Sequence, residues 1–255
     1  MIKFNNVLIT GASSGIGRAL AIELSQYSQN LFLCGRHQAN LQETLNLCKN
    51  NNANIHTKIF DVKDQIACKN YIETIEQNYA LDLIIANAGI SAGTAQGTEN
   101  ITQIKEIFDT NLYGVINIIN PALEYFKKRQ NGQIVLISSL AGFIGLPSSP
   151  AYSASKSALR VLGEALRLNL FEYNIKVNIV CPGYVKTPMT AVNKFPMPFM
   201  VNSDVAAKKI IKGIANNQAL IIFPVIFYLV IRFLSILPRF LSDMILKKLP
   251  KKKSL

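Results

Sequence analysis

Strand-like runs at residues 7–10, 30–34, 54–60, 83–89, 133–138, 175–180 and 220–223 alternate along the chain with longer stretches in which apolar residues recur every third or fourth position. Such alternation predicts an α/β fold, a doubly wound parallel sheet of seven strands with helices on both faces. Within it, Leu83-Ile84-Ile85-Ala86 has no polar residue, as a strand buried on both faces requires. Helical spacing is read at 41–49, 65–78, 101–128 and 152–170, the third of these carrying Asn111 inside its apolar pattern. A buried asparagine must be paired, and either a structural contact at the sheet edge or a water relay would satisfy it.

The pattern changes at residue 225. Between 225 and 237 the only charge is Arg232, and after Pro238 a second short helix is read, with Phe240, Leu241, Met244, Ile245 and Leu249 on a broad apolar face. The expected organisation is therefore an α/β domain over 1–224 and a hydrophobic, basic helical extension over 225–255. A membrane-spanning helix needs about 20 apolar residues. With 220–223 in the sheet too few remain, and Arg232 would cost about 3 kcal/mol in lipid.

Composition narrows the functional classes. A chain of 255 residues without a Gly/Ser- or Pro-rich linker suits one core, and 49% hydrophobic against 16% charged residues excludes a disordered chain. The net charge is +12, of which Lys247, Lys248, Lys251, Lys252 and Lys253 supply five, leaving +7 without that tail. Basic character of this kind suits nucleotide phosphates or an anionic membrane. No nucleic-acid partner is expected, because the densest basic cluster is a short tail without interleaved aromatics. Cys34, Cys48, Cys68 and Cys181 show no Cys-x-x-Cys spacing and have two histidines for company. No metal site is expected from them, and Cys34 and Cys181, near the ends of apolar strand runs, are read as reduced core residues of a cytoplasmic protein. The first strand starts within a few residues of Met1, so no cleavable signal peptide is expected.

Four stretches carry chemistry. The first, Thr10-Gly11-Ala12-Ser13-Ser14-Gly15-Ile16-Gly17, lies between a strand and a helix, where missing Cβ atoms and free backbone amides cradle a pyrophosphate. Second, Arg36 follows the second strand, nineteen residues past Gly17, where a ribose-binding acid would favour NAD(H). An arginine there prefers a 2′-phosphate, so NADP(H) is expected over NAD(H). Asp61 and the Val62 backbone, at the end of the third strand, could meet an adenine amino group. Asn87-Ala88-Gly89 closes the fourth strand, with Asn87 fixing the sheet's end and Gly89 letting the backbone pass close to a cofactor.

The third stretch is Tyr152-Ser153-Ala154-Ser155-Lys156, read with Ser139 upstream. Tyr152 and Lys156 stand one turn apart on a helix, so both emerge on one face. An unperturbed phenol titrates near 10. The neighbouring ammonium is expected to lower that value and make Tyr152 a proton-exchanging group. Ser139 ends an apolar strand, which puts its hydroxyl at the carboxyl edge of the sheet. Last comes Cys181-Pro182-Gly183-Tyr184-Val185-Lys186-Thr187, followed at 195–200 by a Phe-, Met- and Pro-rich loop suited to an apolar lid or to ordinary packing.

Together these residues make the chain resemble the short-chain dehydrogenase/reductase family over roughly residues 1–225. The likeness rests on the Thr10–Gly17 glycines, Asp61, Asn87-Ala88-Gly89, Asn111, Ser139, Tyr152-x-x-x-Lys156, Pro182-Gly183 and Thr187. One departure is Ala86, where the family usually has a second asparagine. The resemblance implies a Rossmann-type sheet and a catalytic set of Asn111, Ser139, Tyr152 and Lys156. It implies that Tyr152 moves the proton, Ser139 holds the reacting oxygen, Lys156 also holds the nicotinamide ribose, and Asn111 positions water linking Lys156 to solvent. It also implies that Thr187 meets the carboxamide, beside Pro182, Gly183 and Val185 in the cofactor site, and that the chain forms a homo-dimer or homo-tetramer.

The leading expectation is NADPH-dependent reduction of a hydrophobic ketone or aldehyde, with an acyl, steroid or other lipid-like carbonyl as substrate. The same residues would serve an NADP-dependent alcohol dehydrogenase running in reverse. A non-catalytic module that senses the cofactor or sits on a membrane is the alternative of another class. For the extension three roles stand open: a wall of the substrate pocket, a subunit contact, or peripheral contact with an anionic membrane at its cytoplasmic face, the last preferred.

Overall fold

The computed structural model describes residues 4–49, 51–94, 97–193 and 195–247. In chain order, β1 (Asn6–Thr10), α1 (Gly15–Leu24), β2 (Asn30–Gly35), α2 (Gln38–Cys48), β3 (Asn54–Ile59), α3 (Gln65–Asn78) and β4 (Leu83–Ala86) form the first half. The second half comprises α4 (Ile101–Phe108), α5 (Gly114–Arg129), β5 (Gly132–Ile137), α6 (Pro150–Asn169) and β6 (Ile175–Pro182), then β7 (Val185–Lys186), α7 (Pro188–Ala191), β8 (Val201–Asn202), α8 (Ser203–Ala215) and β9 (Leu220–Phe223). Two further helices, α9 (Val225–Ile236) and α10 (Arg239–Leu246), close the described chain.

Seven strands pair in parallel in the order β3-β2-β1-β4-β5-β6-β9. Strand order reverses between β1 and β4, and such a reversal opens a crevice at the carboxyl edge, where open α/β sheets bind ligands. Alternation along the strands assigns the two faces. Val7, Ile9, Leu31, Leu33, Ile85 and Val135 face α1, α2 and α8 in one buried cluster. Leu8, Phe32, Ile84, Ile134, Leu136 and Val177 face α3, α5 and α6 in the other. This doubly wound sheet of seven parallel strands agrees with the architecture read from the sequence.

Helix α9 extends the second of these layers. Ile179 and Cys181 of β6 and Ile222 of β9 pack with Ile231, Phe227 and Tyr228, so the end of the sheet is covered by the extension rather than left open. All four cysteines are free and buried.

Two features differ from the sequence reading. The uninterrupted helix expected over 101–128 is split by a wide π turn, Asp109–Tyr113, in which the Gly114 amide donates to the Asp109 carbonyl five residues back. Asn111 sits in that turn, fully buried, and its side chain grips the chain leaving β4: Nδ2 donates to the Ile90 carbonyl at 2.9 Å and Oδ1 accepts from the Ile90 amide at 2.8 Å. The wider turn brings the amide to Ile90 instead of to its own helix, in keeping with the concentration of π turns at functional sites. Secondly, β7 and β8 make a small parallel pair outside the main sheet. Two residues per strand leave too short a period to be read from sequence.

Candidate active site

The glycine-rich turn is built by close backbone packing. Gly11 and Gly15 hold φ of +64° and +55°, which side-chain-bearing residues rarely adopt. A Cβ at Gly11 would stand 2.8 Å from Ala88 Cα, and one at Gly17 would stand 2.2 Å from the Gly11 carbonyl oxygen. Asn87 fastens this turn to β4. Its Nδ2 donates to the Thr10 and Gly11 carbonyls at 2.9 and 3.2 Å, and its own amide donates to Thr10 Oγ1 at 3.0 Å. Gly17 is thus a packing glycine behind the turn, while Gly11, Ser13, Ser14, Gly15 and Ile16 line a cavity of about 540 Å³ at the carboxyl edge of the sheet.

Across the cavity stand Ser139, Tyr152 and Lys156. The Pro150 ring opens α6 at a position that needs no amide partner, and a four-residue step places Tyr152 and Lys156 on one side of it. Ser139 ends the chain run from β5, and its hydroxyl accepts from the Ala141 amide at 3.1 Å. Lys156 is buried, with its Nζ donating to the Ile137 carbonyl at 2.8 Å and lying 5.8 Å from the centre of the Tyr152 ring.

Burial also sets the ionisation here, and it corrects one expectation. The Tyr152 phenol is raised above its ordinary pKa by burial, opposed by a hydrogen bond with Ser139. The sequence reading had Lys156 lowering that value. Instead the lysine is itself desolvated, which lowers it to about 8, and one of its N–H groups donates to the Ile137 carbonyl. At neutral pH the pair is therefore a protonated phenol beside a protonated but labile amine.

Most predicted residues meet at this one cavity: Arg36, Val62, Asn87, Ala88, Gly89, Pro182, Gly183, Val185 and Thr187 line it with those above. Three stand behind it. Gly17 packs the turn, Asn111 braces Ile90, and Asp61 pairs with Arg36 at 3.5 Å and Lys63 at 3.7 Å. Asn111 remains adjacent, since a Cβ on Gly89 would meet its Oδ1 at 3.1 Å and Lys156 Nζ at 3.3 Å.

Other lining residues come mostly from stretches that the sequence reading offered only as a candidate lid at 195–200 and a candidate pocket wall beyond 225, without saying which side chains turn inward. Tyr184 stacks on Phe227 at 5.8 Å and meets Phe195 edge-on at 6.3 Å, and Val230, Ile231, Leu234, Ile245 and Leu246 continue this apolar wall. Thr110 also lines the cavity, its hydroxyl buried without a hydrogen-bond partner. The apolar content of 225–246 was the available signal, but which of its faces turns inward is decided by packing on β6 and β9.

The residues present fit a dinucleotide. The Gly11–Gly15 trough is one that Cβ atoms would fill, Ser13 Oγ is buried beside Gly35 with no hydrogen-bond partner, and Arg36 lines the same cavity. Among the described residues no cluster of ligands suits a metal ion.

Comparison with known proteins agrees with this geometry. A protein from Myxococcus xanthus described as an uncharacterized oxidoreductase is 33% identical over 249 residues, spanning 97% of this chain and 98% of its own length. An 11-beta-hydroxysteroid dehydrogenase 1A from Arabidopsis thaliana is 32% identical over 238 residues, covering 86% of this chain and 68% of the relative. Among solved structures, a short chain dehydrogenase from Mycobacterium paratuberculosis bound to NAD superposes with a TM-score of 0.75 at 24% identity, covering 86% of this chain and 96% of that one. At that identity the structure speaks for the fold alone. The family profile described as short chain dehydrogenase matches residues 5–195, from the first strand to the loop beyond Thr187. A match that takes in both the glycine-rich turn and the Tyr152–Lys156 helix, joined to a third of the residues shared along nearly the whole Myxococcus chain, means that this protein belongs to the short chain dehydrogenases, a family of oxidoreductases.

Proposed function

We propose that the protein is an NADPH-dependent reductase of a hydrophobic ketone or aldehyde. The observation that carries this reading is the Tyr152 phenol, hydrogen-bonded with Ser139 in a cavity with a dinucleotide-shaped trough on one side and an apolar wall on the other. When bound, the cofactor supplies the hydride. Tyr152 donates the proton to the substrate oxygen as negative charge develops there. Ser139 hydrogen-bonds the same oxygen and holds it within reach of the phenol. Lys156, anchored on Ile137, places a positive charge beside the phenolate left behind and holds the nicotinamide ribose. Asn111 is a positioning residue, keeping Ile90 and Ser155 in place at the floor of this group.

Cofactor contacts follow from the trough. Gly11, Ser14, Gly15 and Ile16 offer the diphosphate site, Val62 the adenine edge, and Ala88, Gly89, Pro182, Gly183, Val185 and Thr187 the nicotinamide end. Arg36 and the orphan Ser13 hydroxyl support a 2′-phosphate and hence NADPH. Asp61, paired with Arg36, orients the guanidinium. The wall formed by Leu140, Leu146, Phe227, Ile231 and Leu246 suits a lipid-like or polycyclic carbonyl, and the name of the Arabidopsis relative supports the same class.

Replacing Tyr152 by Phe is expected to cut carbonyl reduction by roughly two to four orders of magnitude, the usual contribution of a positioned acid, while NADPH fluorescence titration gives an unchanged Kd. Turnover retained in that variant overturns the assignment.

A further inference from the structure

We infer that the outer face of α9 and α10 docks on an anionic lipid bilayer, and that the cavity takes its substrate from that surface. The second half of this inference rests on the function just proposed. The first half rests on the surface alone.

Helix α9 is apolar on two sides. Phe227, Ile231 and Leu234 turn inward at steps of four and three and line the cavity. Ile226, Leu229, Phe233 and Ile236, at steps of three, four and three, form an outward stripe, with Phe233 58% and Ile236 74% exposed. Helix α10 continues that stripe with Phe240 at 68% and Met244 at 63%. A soluble surface rarely carries so continuous an apolar patch without a partner.

Charge selects the occupant. Arg232, Arg239 and Lys247 are exposed on these helices, Asp243 is the one acidic residue in 225–247, and the sequence goes on with Lys248, Lys251, Lys252 and Lys253. A second copy of the chain would bring like charges together around the stripe. Anionic headgroups are attracted to it instead. Among the described residues no helix is long and apolar enough to cross a membrane, so the helices lie in the interface with their apolar side chains inserted.

The geometry also joins the two surfaces. Val230 and Ile245 both line the cavity and are 47% and 46% exposed. The rim of the cavity therefore lies inside the docking face. An apolar substrate can pass from lipid between α9 and α10 toward Tyr152 without crossing water.

The test uses the full chain and co-sedimentation with vesicles of phosphatidylcholine alone or mixed with phosphatidylglycerol. Binding to the mixed vesicles is expected, weakening as salt is added. Phe233→Glu combined with Ile236→Glu should lower apparent vesicle affinity by more than about tenfold, since charge at the apolar face opposes both burial and anionic headgroups. The same double variant should reduce a short water-soluble carbonyl within about twofold of the parent, and lose about tenfold in kcat/KM on a long-chain carbonyl dissolved in the mixed vesicles.

Indifference of the parent chain to anionic vesicles overturns the inference, as does equal binding by the double variant. Self-association in sedimentation velocity that the double variant abolishes, with vesicle binding untouched, would assign the face to a second copy and overturn it too. Should that variant fail to fold, Phe240→Ser with Met244→Ser puts the same question to α10, and the salt titration of the parent chain answers independently. Vesicle binding without turnover of any carbonyl would strike the oxidoreductase reading and the substrate route, leaving the docking face standing.

Discussion

The two walls of the cavity are held by opposite means. On the nucleotide side, the Thr10–Gly17 turn is fixed by polar contacts and by glycines that no other residue can replace: Asn87 ties it to β4 through three hydrogen bonds, and Gly11 and Gly17 leave no space for a Cβ. On the other side, α9 is held by apolar packing of Phe227, Tyr228 and Ile231 against β6 and β9, and the outer residues of α9 and α10 are exposed. The difference teaches where the molecule is rigid by construction and where it is free to vary. A diphosphate demands fixed backbone geometry, whereas an apolar ligand demands only a volume of the right character.

This contrast can be broken by graded substitutions. The largest effect is expected for Gly17→Ala, whose Cβ would collide with the backbone oxygen of Gly11 at 2.2 Å and the Asn87 amide at 2.5 Å. A loss of about 3 kcal/mol in chemical denaturation, with NADPH binding weakened, is expected from such overpacking. A neutral outcome would mean that the turn is as pliant as the opposite wall.

Next comes Arg36→Ala. Removing a charge-assisted contact of about 1.5–3 kcal/mol should shift the ratio of kcat/KM for NADPH over NADH by roughly tenfold to hundredfold toward NADH. An unmoved ratio would withdraw the 2′-phosphate from this wall.

The third effect lies between the walls, at Lys156. Burial lowers this amine to about 8, so its proton is present below that pH and lost above it. Reduction should be flat at neutrality and fall about tenfold by one pH unit above the midpoint, where roughly a tenth of the ammonium remains. The stability linkage has the opposite sense: a depressed base binds its proton less tightly when folded, so stability gains between about pH 8 and 10.5 and is lost as pH falls through 8. A pH profile of kcat/KM set beside unfolding free energies checks both signs.

The smallest effect is expected at Phe233→Ser on the outward stripe, within about 0.5 kcal/mol in stability. A large loss would show that the stripe is packed in solution and would erase the difference between the walls.

Much of the nucleotide side was legible before any coordinates, because its determinants are local. A strand, glycines at 11, 15 and 17, and a helix follow one another within one stretch of chain, and Asn87 was read as a fastener of the sheet end, as its bonds to Thr10 and Gly11 bear out. The helical step from Tyr152 to Lys156 was equally local. What escaped was tertiary. The π turn at Asn111 arises from a contact with Ile90, twenty-one residues away. The Tyr184–Phe227 stack joins positions forty-three apart in sequence. The ionisation of Tyr152 was misjudged for the same reason: pairing with Lys156 is visible in spacing, but the desolvation that each group meets in the cavity is not.

The loosened turn at Asp109–Tyr113 makes chain length there a structural variable in its own right. Its five-residue step takes up one residue more than a regular α turn, so excising a single position there would let an ordinary helix form and leave Gly114 to Arg129 in phase. Val115, Ile118, Ala122 and Phe126 would stay against the sheet. What a gap of one codon would cost is the reach of the Asn111 amide to Ile90.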